Sequence, residues 1–247
     1  MRDYKDMLST IMKDTYDYEV ASEEYSYAQA EKRASFVRKT YAHLAGALGL
    51  FALIQYFLLN CDLPFVNRLV SIMVQGNSWA IVLVLWMGVS WLADKWARSP
   101  TSMALQYTGL LVYIVGISIV FLPLMLVAHT QFEGIITQAA ILTGALVLGL
   151  FAVVFTTRKD FSFLGASIAM VSMIALGLIF AAIFFGFELG LWFSLAMIVL
   201  AAAAILYQTS AVIHHYREDQ YVSAALGLFA SVAIMYFYVL RMLMQRR

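Results

Sequence analysis

Thr156-Thr157-Arg158-Lys159-Asp160-Phe161-Ser162-Phe163-Leu164-Gly165-Ala166 is a short charged stretch set between two long apolar runs, Ile135–Phe155 and Phe161–Phe185. Neither run holds an ionisable residue, and none follows until Glu188. Runs of about 20 apolar residues cross a bilayer as helices. The turn Arg158-Lys159-Asp160 between them is too short to do anything but reverse the chain at one membrane face. Its two cations mark that face as cytoplasmic, because Lys and Arg are retained on the inner side. The remaining topology can be counted outward from this point.

The composition agrees. The chain has 247 residues, 63% of them hydrophobic and 13% charged, with a mean hydropathy of +0.81. A soluble domain carries about a quarter charged residues, so most of this chain belongs in lipid. A net charge of +1 argues neither for nor against a nucleic-acid partner. About half of the charges lie in the first 39 residues. The single cysteine, Cys61, has no partner for an intrachain disulfide. The start, Met1-Arg2-Asp3-Tyr4-Lys5-Asp6, has no apolar run of the kind a signal peptide needs.

Taken in order, residues 1–35 form a polar segment rich in Tyr, Asp and Glu, with Tyr4, Tyr16, Tyr18, Tyr25 and Tyr27 among the acids. Two readings stand open: a solvated or partly helical tail, and a docking segment for a partner. Lys32, Arg33, Arg38 and Lys39 then precede the first apolar run, Leu44–Leu59, and place the N-terminus inside. Residues 36–247 form the membrane domain. The stretch up to Ser78 is half apolar and predicts an outer loop with room for an interfacial helix. Span two is Trp79–Trp96, closed by Lys95, Trp96 and Arg98. Span three is Met103–Val127 and contains Pro123, which deprives the carbonyl four residues earlier of its helical partner. Spans four and five flank the central turn, span six is Leu191–Ile213, and span seven is Tyr221–Met242. An odd number of crossings puts the C-terminus outside, where Arg241, Arg246 and Arg247 run against the charge bias. Ser223, Gly227 and Ser231 line one face of span seven with small residues, and span six carries Ala201–Ala204. Such helices approach their neighbours closely, which predicts these two for the middle of the bundle.

The chemistry available inside the spans is limited. No Asp, Glu, Lys or Arg lies at mid-depth; Asp94, Glu188 and Arg241 are near span ends. The deep polar residues are neutral: Gln55, Gln106, Thr108, Ser118, Thr143, Ser172, Ser194, Gln208, Thr209 and Ser231. Span seven has no lysine for a retinal Schiff base. His43, His129, His214 and His215 are scattered, and three converging ligands for zinc are not in view. A buried carboxylate of the sort a proton-coupled pump uses is missing. No phosphate loop, nucleophile elbow or dinucleotide turn is found, so the sequence predicts neither an enzyme nor a cofactor. Gln208 is the most conspicuous deep polar residue, as an interhelical hydrogen bond or as a gate or contact.

Phe36-Val37-Arg38-Lys39-Thr40-Tyr41, Thr156–Ala166 and Ile205–His214 resemble the signature segments of the Bax inhibitor-1/YccA family, also called TMBIM. The resemblance covers about the last 210 residues and the seven spans in order. It implies an all-α integral membrane protein, a seven-transmembrane-helix bundle with the last helix central. Calcium-leak members of the family carry a carboxylate pair, one on each of helices six and seven, that shares a proton and gates a pore with pH. In this sequence those positions are Gln208 and Ser231, and neither titrates near neutrality. Lys95–Thr101, Tyr107–Ile114 and the Thr-Thr-Arg-Lys-Asp form of the turn are similar to the bacterial YccA branch, which is associated with the membrane-anchored AAA protease FtsH as modulator and slow substrate. The resemblance therefore implies a bacterial inner-membrane protein, with the bilayer and such a protease as partners. The polar N-terminal segment would serve as the handle. The alternative is a leak for calcium or another cation, with Gln208 and Ser231 near the constriction and no acid-pair gate. A structural subunit of a larger membrane complex is a third reading.

Overall fold

A computed structural model describes the backbone of residues 2–60, 64–99 and 102–246, and the side chains of residue 25 and of residues 27–60, 64–99 and 102–246. Cys61, Pro100, Arg247 and the side chains of Tyr4, Tyr16 and Tyr18 lie outside the described residues. Among those described the secondary structure is helical throughout: α1 (Arg2–Asn60), α2 (Pro64–Val74), α3 (Ser78–Ala97), α4 (Met103–Gln131), α5 (Ile135–Thr157), α6 (Leu164–Phe185), α7 (Leu191–His214) and α8 (Tyr221–Gln245).

Seven of these are long and apolar enough to cross a membrane, the first from Tyr27 to Asn60. They coincide with the seven runs read from hydropathy. In lipid a backbone satisfies its own polar groups only within a helix, so a run of this length has one regular solution. The eighth element, α2, is the short helix for which the loop before Ser78 had room. Helix ends fall where the sequence supplies a stop. Gly134 and Gly186 adopt the left-handed conformation that ends or reverses a helix. Ser102 caps α4, its hydroxyl accepting from the Leu105 amide at 3.3 Å. α4 runs on through Pro123.

α8 is the centre of the bundle. It packs against α1, α3, α4, α5 and α7, and Val222, Ala224, Leu228, Phe229, Val239 and Leu240 on it are fully buried. The helix expected beside it in the middle is displaced in rank. α4 is more enclosed than α7, covered by α1, α3 and α8. Lipid gives no hydrophobic drive for helices to associate, so contact quality decides. An aromatic cluster supplies part of it. Phe51 of α1 stands edge-on to Phe121 of α4 at 5.2 Å, and Phe121 meets Phe237 of α8 at 5.1 Å. Each such pair contributes on the order of 1 kcal/mol. α6 is peripheral, with Ala175 its one buried residue.

The loops divide between two faces. The start of the first span, the α3–α4 loop, the α5–α6 turn and the α7–α8 loop share one, here the turn face. The end of α1, the α6–α7 loop and the end of α8 share the other. Arg241 donates to the Leu189 carbonyl at 2.8 Å and Gln245 to the same oxygen at 3.2 Å. The last helix therefore ends opposite the turn face, and Arg241 is held by a loop carbonyl rather than standing free.

Candidate functional site

Arg158 ends α5 with φ of 50°, its amide donating to the Val154 carbonyl at 2.8 Å. A left-handed position is unusual for a residue with a side chain, and here it reverses the chain within three residues. Asp160 then organises the turn. Its Oδ1 accepts from the Ser162 amide at 2.9 Å and lies 3.3 Å from Ser210 Oγ. Its Oδ2 is 3.0 Å from His215 Nε2. The Ser162 amide first, and the His215 hydrogen bond second, hold the carboxyl down to about 2. Ser210, fully buried, also accepts from the Phe161 amide at 2.9 Å. The turn Thr156–Ala166 and the segment Ile205–His214 are thus docked on one another through Asp160, Ser210 and His215. Arg158 and Lys159 contribute position and charge at this face. The described structure assigns no side-chain contact to either.

A second clamp closes the same end of α7. The guanidinium of Arg33 donates to three carbonyls there: Val212 at 2.6 Å, Ile213 at 3.1 Å and Tyr216 at 2.6 Å. Val212 and Ile213 are among the acceptors a helix C-terminus leaves without partners, and a cation at that end also opposes the helix dipole. Arg33 lies over the Phe36 ring at 4.9 Å. It stands in the sequence as one of four cations that orient the first span; its role as a cap depends on a contact with residues far along the chain.

The two positions singled out deeper in the bundle are Gln208 and Ser231. Gln208 Oε1 accepts from the Tyr216 hydroxyl at 3.3 Å. The amide lies flat against Gly227, where an added Cβ would come within 2.9 Å of Oε1. Ser231 sits one turn further along α8 and donates to the Gly227 carbonyl at 3.0 Å. Both side chains therefore converge on Gly227, one through van der Waals contact and one through a hydrogen bond. Ser231 faces a cavity of about 690 Å³ between α3, α4, α6, α7 and α8, with Glu188, Arg241 and Gln245 toward its far end. Gln208 is not on its wall; Ala204, one turn away on α7, is. At this junction the groups are an amide, a phenol and a hydroxyl, and none of them changes charge near neutrality.

The sequence profile of the family described as Inhibitor of apoptosis-promoting Bax1 matches residues 33–247. The match begins at the arginine that caps α7. An uncharacterized protein of Pseudomonas aeruginosa is 32% identical over 212 residues, 83% of this chain and 87% of that protein. The Modulator of FtsH protease YccA of Escherichia coli is 32% identical over 186 residues, 72% of this chain and 81% of that protein. An uncharacterized protein of Pasteurella multocida is 28% identical over 200 residues, 79% and 83% of the two chains. With seven apolar spans around a central last helix, and with that profile covering all of them, the chain belongs to the Bax inhibitor-1/YccA family of multi-pass membrane proteins.

Proposed function

We propose that the protein is a partner and modulator of a membrane-anchored AAA protease of the FtsH type in the bacterial inner membrane, engaged through its N-terminal segment. The observation that carries this reading is the form of α1. It continues on the N-terminal side of the Arg33 clamp as residues 2–32, about 46 Å of helix at 1.5 Å per residue. That is an arm long enough to reach a protease domain outside the bilayer. The kinship with a relative named for modulating FtsH supports it. The charge distribution supports a cytoplasmic arm. Lys32, Arg33, Arg38, Lys39, Lys95, Arg98, Arg158, Lys159 and Arg217 lie on the turn face, against Arg68, Arg241 and Arg246 on the other among the described residues.

The test is degradation of a membrane substrate by the purified protease in vesicles, with the full chain and with a variant lacking residues 2–24, which keeps the Arg33 clamp. Modulation is expected with the first and not with the second. Equal modulation by both would remove the arm from the mechanism.

One observation favours a second reading, a cation leak: Ser231 lies on the wall of the 690 Å³ cavity, with Glu188 and Arg241 toward the far end. In that reading Gln208 and Ser231 occupy the constriction, and calcium or another small cation is the cargo.

A further inference from the structure

The cavity that Ser231 faces is a cleft with distinct chemistry at its outer end. Of the residues lining it, Glu188 and Arg241 alone carry charge. Arg241 Nη2 donates to the carbonyl of Leu189, the residue after Glu188, at 2.8 Å. The two charges therefore share one rim, opposite the turn face. No ion pair joins them among the described residues. Glu188 is exposed. Arg241 is half-buried, and its hydrogen bond to Leu189 engages one nitrogen of the guanidinium and leaves the other donors open.

Below the rim the wall is apolar and follows the bilayer. On α8 it runs from Gln245 to Ser231, about 21 Å of helix against about 15 Å for half a hydrocarbon core. Leu83, Trp86 and Met87 of α3 line it together with Leu176, Ile179 and Ile183 of α6. α6 packs on α3 and α7 and is otherwise turned to lipid, so an amphiphile enters between α3 and α6 without leaving the bilayer. Beyond the inner end Tyr207 packs on Gly165 and Gln208 on Gly227, which joins α6, α7 and α8 there.

An occupant that answers this rim carries both signs of charge on an apolar body. A purely anionic head meets Arg241 and crowds Glu188. A zwitterionic head serves both, and a primary ammonium gives the carboxylate charge-assisted hydrogen bonds that a quaternary one has no N–H to make. We propose that the cleft binds phosphatidylethanolamine. Its phosphate accepts from the Arg241 guanidinium, its ammonium donates to the Glu188 carboxylate, and its acyl part lies between α3 and α6. The proposal does not rest on the protease reading, and lipid so placed stands in the path that the leak reading requires.

The test places the full chain in phosphatidylcholine vesicles with a trace of phosphatidylethanolamine carrying a diazirine on one acyl chain. Labelled peptides are read by mass spectrometry, and labelling in the cleft is expected on α3, α6 and the Ser231 side of α8. One charge-assisted hydrogen bond is worth about tenfold in affinity, so replacing about a tenth of the matrix with unlabelled phosphatidylethanolamine should roughly halve that labelling. The same fraction of phosphatidylglycerol should leave it unchanged, as should water-soluble glycerophosphoethanolamine. The groove between α1 and α5 is the internal control. Gln55 and Thr143 are on its wall but no Asp, Glu, Lys or Arg is, so labelling there should respond equally to the two lipids. Glu188→Lys, on an exposed loop, should turn the preference in the cleft toward phosphatidylglycerol. Should that variant fail to fold, the comparison of cleft and groove on the unaltered chain decides alone. An unlabelled cleft, displacement by phosphatidylglycerol or by glycerophosphoethanolamine as strong as that by phosphatidylethanolamine, the same preference in cleft and groove, or a preference that survives Glu188→Lys would each overturn the proposal.

Discussion

Arg33 and Val212 are separated by 179 residues in sequence and by 2.6 Å in space, guanidinium nitrogen to carbonyl oxygen. With the bonds to Ile213 and Tyr216, this contact joins the arm-bearing helix to the end of α7. It also lies one step from Gln208, which accepts from the Tyr216 side chain.

Arg33→Ala should lower stability in detergent by about 2 kcal/mol, the scale of charge-assisted hydrogen bonds lost from a partly buried helix end. Arg33→Lys should recover less than half, because an ammonium cannot span three carbonyls as the planar fork does. Thermal unfolding followed by tryptophan fluorescence checks both.

Two glycines separate tolerable from intolerable crowding. At Gly109 an added Cβ would meet Ala93 O at 2.5 Å and Ala97 N at 2.7 Å, both backbone. α3 and α4 would have to part, so Gly109→Ala is expected to destabilise by about 3 kcal/mol. At Gly227 the obstacle is the tip of Gln208, which can swing aside and forfeit its bond to Tyr216. Gly227→Ala should therefore cost about 1 kcal/mol. Adding Gln208→Ala should relieve part of that loss. Chemical denaturation of the three variants distinguishes crowding from a general loss of packing.

Asp160 makes a prediction about acid. Its carboxyl sits at about 2, below the ordinary aspartate value of 3.8, so the folded state holds the ionised form more strongly than the unfolded chain does. The stabilisation is complete above about pH 4 and is lost as pH falls through about 2. Asp160→Asn should remove this acid limb from the stability profile. Melting temperatures from pH 5 down to pH 2 will show whether the slope disappears.

The leak reading is tested by Gln208→Asp with Ser231→Asp. The double variant places two carboxylates on the facing helices α7 and α8, both beside Gly227, where like charges force one to stay protonated. Calcium flux into vesicles should then differ between pH 6 and pH 8, while flux through the unaltered chain does not. A double variant whose flux ignores pH would count against a constriction at these residues.

The spans were legible because lipid leaves a backbone few alternatives, so about 20 apolar residues between Arg158 and Phe185 or between Tyr221 and Met242 have one regular solution. α8 was legible as the centre through the small side chains of Ser223, Gly227 and Ser231. The candidate site was readable only in part. Asp160 and Gln208 stand out in sequence, but their partners Ser210, His215 and Tyr216 become partners through the docking of α7 on the turn. Arg33 reads as one cation among four until α7 ends beside it. The lesser rank of α7 follows from which helices pack around α4, and hydropathy carries no information about neighbours. The groove between α1 and α5 was equally hidden, since Gln55 and Thr143 line it together only when both helices are packed on α8.

The position of α8, last in the chain and innermost in the bundle, sets the order of assembly. A ribosome delivers the other six spans before the helix that five of them pack against, so during synthesis they stand in the bilayer around a missing middle. The bundle closes only after Gln245 has left the exit tunnel, and a chain stopped short at Gln220 would insert and never consolidate. Pulled from its N-terminus, the same protein would shed α1 first and keep its core helix until the end.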